Sequence, residues 1–279
     1  MSCKCQCHGR PSKASHDWNI LDLNALKIEI VDDDTQTFFG VEDLPSPRDI
    51  PHAIWDNATA PAGELARTEK YFFAYLQDAM HPPVEVEQES HIVDFAAFLL
   101  GLLGYDHGSK RVLHTRKNMP FLMNGEYVWA SADVALVERI ASPKFEYLLL
   151  VHEDKTDYGL SPPANFPEPH LIAQAFAAFY QNNKLRWSLG RPRLETETFL
   201  GIIFSRTAPS FYKITITKAV AQAMEGGISP EETTVVHKFT PRVRGEDGFL
   251  VHGMGHLESR RMVFRYLEAF KKFVPKPPL

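Results

Sequence analysis

The stretch that decides the reading is 132-ADVALVERIASPKFEYLLLVHEDKT-156. It holds two apolar runs, residues 134–137 and 147–151, and each is tied to acid: the first follows Asp133, the second leads into Glu153. The continuous run 147–151 suits a buried strand. In an extended strand residues i and i+2 point to one face, so Glu153 and Lys155 project together and Asp154 to the other side. A hairpin between the two runs would set Asp133 beside Glu153. Two carboxylates and one ammonium would then meet at a common point. Two hard oxygen ligands suit Mg²⁺, which keeps several waters of its own. A lysine beside such an ion could orient or deprotonate an attacking water. The bland alternative is a same-face ion pair at a strand end, a contribution of ~0–1 kcal/mol.

Upstream, residues 111–137 read as strands around Asn124-Gly125, a strong hairpin signal between apolar runs. Before them, residues 87–103 carry Ile92, Phe95, Ala96, Leu99 and Leu103 at helical spacing, with Glu89 at the start and Gly104 as a stop. Glu89 is open to two readings: a third carboxylate for a metal site, or a first-turn glutamate favoured by the helix dipole. Residues 64–80 form a further amphipathic helix ended by His81-Pro82-Pro83. Ile28 and Ile30 suggest a short strand, and Asp32, Asp33 and Asp34 a solvated turn. Downstream, a proline-rich loop leads to a helix over residues 168–182 that contains Gln174. Strands follow at 198–205 and 211–217 with Ala208-Pro209-Ser210 as the turn, then a short helix at 218–224 and a last helix over 257–273. His252 and His256 stand four apart, but Gly253 and Gly255 between them favour a loop over a metal-binding helix. This order predicts an α/β (α+β) sheet flanked by helices.

The series of helix with Glu89, strand with Asp133, strand with Glu153-Asp154-Lys155 and helix with Gln174 resembles the PD-(D/E)XK nuclease superfamily over residues 87–216, and its wording LLLVHEDKT is similar to a fungal branch of it. The resemblance implies a restriction-endonuclease-like core with a mixed sheet of four to five strands. It implies phosphodiester hydrolysis with Mg²⁺ or Mn²⁺ held by Asp133, Glu153, the carbonyl of Asp154 and, as in some members, Glu89. Lys155 would position or activate the water, and Gln174 would stand beside it. The proline that gives the superfamily its name is here Ala132.

A nuclease must hold phosphates. Residues 184–218 carry seven basic residues against two acids, inside a 279-residue chain of net charge −5. Lys184, Arg186, Arg191 and Arg193, with Trp187 among them, could hold a DNA or RNA backbone; a solvated face with core aromatics explains them as well. The acidic balance argues against a strongly basic nucleic-acid binder. With 44% hydrophobic residues the chain can bury a sizeable core. The organisation expected is a polar tail over residues 1–17, an extension over 18–86 packed on the core, and a nuclease-like domain over 87–274. Cys3, Cys5, Cys7 and His8 in the tail could bind a soft metal, although their alternation departs from structural zinc spacing. No apolar secretion signal or membrane-length run is seen, so an intracellular protein, cytoplasmic or nuclear, is expected, with a homodimer possible. Two other functions stay open: a nuclease-like fold that binds nucleic acid or protein without turnover, and a zinc adaptor built on the tail.

Overall fold

The computed structural model describes residues 11–81, 90–141, 143–154, 166–242 and 248–275. In chain order these form α1 (Ile20–Ala25), β1 (Ile28–Asp32), α2 (Thr35–Phe39), α3 (His52–Asp56), α4 (Arg67–Met80), α5 (Ser90–Leu102), β2 (Arg111–Met123), β3 (Glu126–Ala141), β4 (Lys144–Glu153), α6 (Pro167–Ser188), β5 (Thr196–Ser205), β6 (Ala208–Thr217), α7 (Lys218–Glu225), β7 (Thr234–Phe239), α8 (Phe249–His252) and α9 (Leu257–Lys271). One mixed sheet holds the strands in the order β1-β7-β6-β5-β4-β3-β2. β1 runs parallel to β7 and β4 parallel to β5, while the other neighbours are antiparallel. Among the described residues no helix is long and apolar enough to cross a membrane.

The sheet has seven strands rather than four to five. The two extra strands are β1 and β7, which lie beyond the resemblance and pair Ile28–Asp32 with Thr234–Lys238. β7 reads TVVHKF, too short and too mixed for its period to stand out. Residues 28–32, placed by sequence in an extension, thus form an edge strand of the same sheet.

The Asn124-Gly125 turn forms as its chemistry demands. Both residues sit at positive φ, 52° and 81°, and Met123 pairs directly with Glu126, so the loop is two residues long. The turn between β5 and β6 falls elsewhere than expected. It is made by Arg206, at φ 53°, and Thr207, and Ala208 to Ser210 already belong to the ladder. Pro209 pairs with Phe204 but lies beyond the last β6–β7 pair, Phe211 with Phe239, so on that side no ladder asks for its missing N–H.

Two apolar clusters cover the two faces of the sheet. One packs Phe72, Phe95, Leu99, Phe264 and Phe270 of α4, α5 and α9 on Val134, Leu149, Val151, Ile202 and Phe204. The other packs α6, through Leu171, Ala175, Ala178 and Phe179, on Ala135, Leu150, Ile203 and Ile214. α6 is 22 residues long, about 33 Å, and crosses the sheet at Gly201. A Cβ there would stand 2.7 Å from Leu171 Cδ2, so the glycine lets helix and strand approach. Arg260 of α9 is buried and donates to the carbonyls of Met254, Ile54, Asn57 and Ala58, tying the segment after α3 to the core. His252 ends α8, Gly253 follows at φ 44°, and the rings of His252 and His256 stack at 4.6 Å across the break.

Candidate active site

Asp133 sits where the β2–β3 hairpin bends. In β3, Val128, Ala130 and Ala132 face α6, but beyond the bend it is Ala135 and Val137 that do so. Val134 and Leu136 face the opposite cluster. The alternation therefore slips by one between Ala132 and Ala135. The paired register of β2 with β3 skips Arg116 and Asp133, and Arg116 has φ 51°. β3 also leaves β4 here: the last β3–β4 pair toward the bend is Val134 with Val151. The Glu153 N–H, past that point, donates to Asp133 Oδ2 at 2.8 Å. The carboxylate thus replaces a ladder carbonyl and is tied to Glu153 through the backbone N–H of that residue.

Glu153 ends β4 and is 8% exposed. Asp154 follows, and its N–H donates to the Phe204 carbonyl at 3.0 Å. The Asp154 carboxylate accepts from Ser205 Oγ at 2.7 Å, so it is turned toward β5. Lys155 and Glu89 lie outside the described residues, as do Cys3, Cys5, Cys7 and His8.

Gln174 reaches the site from α6. Its Nε2 donates to the Ser131 carbonyl at 2.9 Å and lies 3.3 Å from His152 Nδ1. His152 Nδ1 also lies 3.0 Å from Asp133 Oδ2. With Nδ1 protonated the ring donates to the carboxylate, and Asp133 Oδ2 is held from two directions. His170 stands one turn before Gln174, with its ring 5.3 Å from that of His152. Burial first, and His152 second, push the His170 imidazole down to about 4, so it is neutral near pH 7. His170 Nε2 and Gln174 Oε1 are buried without a hydrogen-bond partner among the described residues. Buried polar atoms of this kind are uncommon and costly, and they mark polar ground beneath the acids. Further along the same edge, Glu168 Oε1 accepts from Lys238 Nζ at 2.9 Å and from the Tyr212 hydroxyl at 3.2 Å. Burial, then Glu168, drive the Tyr212 phenol well above its ordinary value.

The histidines escaped the sequence reading, although a signal existed. His152 alternates with Leu150 toward α6, and His170 lies four residues before Gln174, hence on the same helical face. Among the described residues no group of three or more His, Cys, Asp or Glu side chains is arranged to hold a metal ion. The Asp133 carboxylate at the bend offers hard oxygens of the type Mg²⁺ accepts.

No protein-family model matches the sequence, and no curated protein is significantly similar to it.

The basic residues lie apart from the acids. Asp133 meets the C-terminal end of β4, whereas Lys144 at its start reaches Ser188 at the end of α6 at 3.4 Å. Ten residues of strand separate those ends, about 30 Å. Lys184, Arg186, Arg191 and Arg193 cluster there: Arg186 Nε donates to the Pro192 carbonyl at 2.8 Å, and Arg193 lies 5.4 Å over the Trp187 ring.

Proposed function

We propose that the chain is a metal-dependent nuclease that hydrolyses phosphodiester bonds of DNA or RNA. The observation that carries this reading is the Asp133 carboxylate seated on the Glu153 peptide at 2.8 Å, at the mouth of two adjacent strands. The element order supports it: the helix α5, the strands β3 with Asp133 and β4 with Glu153, and the helix α6 with Gln174 follow in the sequence that the resemblance implies.

Asp133 and Glu153 would hold Mg²⁺ or Mn²⁺, with the Asp154 carbonyl as a further ligand and Glu89 as an added acid. When bound, the ion supplies Lewis-acid polarisation of a phosphate oxygen and a water of lowered pKa. Asp133 presents its carboxylate in a fixed orientation because the Glu153 N–H and His152 both engage Oδ2. Gln174 braces the strand behind it through Ser131. Lys155 would orient the attacking water and take or hold its proton.

The test is the full chain with single- and double-stranded DNA and RNA, plus Mg²⁺ or Mn²⁺. Asp133→Asn and Lys155→Ala should each lower cleavage by roughly 10²- to 10⁴-fold. Cleavage that persists at the same rate in either variant contradicts the site assignment. The second reading is a nuclease-like fold that binds without turnover. It is favoured by the net charge of −5, which suits a strongly phosphate-binding chain poorly. Calorimetry with no heat of Mn²⁺ binding, alongside retained nucleic-acid or protein binding, would select it.

A further inference from the structure

Tyr127, Trp129 and Ser131 are exposed at alternate positions of β3, while Val128, Ala130 and Ala132 between them are buried against α6. The near end of this outward row is two residues from Asp133. At its far end the Tyr127 hydroxyl lies 3.1 Å from that of Tyr180, and the two rings meet edge-on at 6.4 Å. Tyr180, Lys184 and Trp187 then follow at i, i+4 and i+7 of α6, one helical face. The Arg193 guanidinium caps the Trp187 ring at 5.4 Å. Trp129 is 57%, Tyr127 64% and Trp187 69% exposed, three of the larger apolar surfaces left in water among the described residues.

The tyrosine pair joins the two rows into one strip. It starts about 7 Å from the bend at Asp133, spans the hairpin, and ends among the basic residues of α6, on the order of 30 Å in all. The acids and the basic cluster, apart along β4, are thus connected over the outer surface by aromatics. Glu225 of α7 borders the strip beside Tyr180, so its basic side is that of Lys184 and Arg193.

We propose that this strip is the path of a single-stranded nucleic acid. Bases stack on Trp129, Tyr127 and Trp187, phosphates meet Lys184 and Arg193, and the chain of nucleotides leads to Asp133. The last step rests on the nuclease reading; the strip itself does not. Unpaired bases are the occupant that matches, because aromatic side chains stack on base faces that a duplex keeps inside its own stack. Basic groups interleaved with exposed rings are the usual means of holding a strand without reading its sequence.

The test measures binding of fluorescein-labelled oligo(dT), oligo(U) and a duplex of equal length by anisotropy, with EDTA present so that no divalent metal acts. The single strands should bind more tightly than the duplex. Trp129→Ala and Trp187→Ala should each weaken single-strand binding by about 5- to 100-fold, and Trp129→Phe should restore most of it. Both tryptophans are exposed, and circular dichroism checks that the variants fold. Duplex preference, alanine variants that bind like the parent, or no affinity for either oligonucleotide (as expected if the strip docks a protein) would overturn the proposal. Ring-dependent binding without Mn²⁺-dependent cleavage would sink the nuclease reading and leave the strip standing. Asp133-dependent cleavage with no effect of the ring variants on binding would do the reverse.

Discussion

Asp133 has a structural and a chemical role, and the two can be separated. Asp133→Ala leaves the buried Glu153 N–H without its acceptor, a cost of about 1–3 kcal/mol. Asp133→Asn keeps an acceptor oxygen, so its urea midpoint should stay near that of the parent while Mn²⁺ binding in a calorimetric titration is lost. Equal destabilisation by both substitutions would argue against the role given to the N–H. A second residue tests electrostatics away from the site. Burial raises the Glu197 carboxyl to about 7, with Glu146 adding to the rise and a 3.0 Å hydrogen bond from Asn182 opposing it. The folded chain then keeps a proton that the unfolded chain releases above about 4.5. Stability from this group is present at low pH and is lost as pH rises toward 7, by at most about 3 kcal/mol. Glu197→Gln should leave Tm nearly unchanged at pH 5 and raise it at pH 8. The same Tm difference at both pH values would contradict this.

At the scale of elements, α6 comes close over β5 at Gly201. Gly201→Ala puts a methyl against Leu171, and overpacking of this kind costs about 1–3 kcal/mol. A lower Tm in thermal unfolding, recovered in part by Leu171→Ala, is the expected outcome. The elements also show what was legible in the sequence. The β2–β3 turn could be read because Asn124 and Gly125 tolerate the positive φ that a two-residue loop demands. The β5–β6 turn could not, because Pro209 signals a break while the ladder around it happens to need no N–H at that point. The helix over 168–182 runs on to Ser188 because its last turn lies past the sheet, where Lys184, Arg186 and Trp187 face water and blur the apolar period. Asp133 and Glu153 could be read from their place at apolar strands. His152 and His170 left only a faint trace, the alternation with Leu150 and the spacing to Gln174, because their meeting depends on where α6 crosses β4.

At the scale of the whole molecule, residues 28–32 are part of the sheet. β1 pairs with β7, Lys27 Nζ donates to the Glu231 carbonyl at 3.1 Å, and Trp18, Leu23 and Ile28 are buried with α6. Removing residues up to 33 would bare the edge of β7 and part of the core, so the shortened chain should unfold at lower temperature and self-associate in sedimentation. Unchanged melting would mean that residues 11–33 are an appendage. The same architecture gathers the carboxyl ends of β4 and β5 and the start of α6 at one edge, and it is there that Asp133, Glu153 and His152 meet. The most direct measurement is cleavage of labelled single-stranded DNA and RNA by the full chain with Mn²⁺, run beside Asp133→Asn. The parent should cut, EDTA should stop it, and the variant should fold normally and fail to cut. Equal cutting by parent and variant, or a folded parent that binds Mn²⁺ and single strands yet never cuts, would contradict the account.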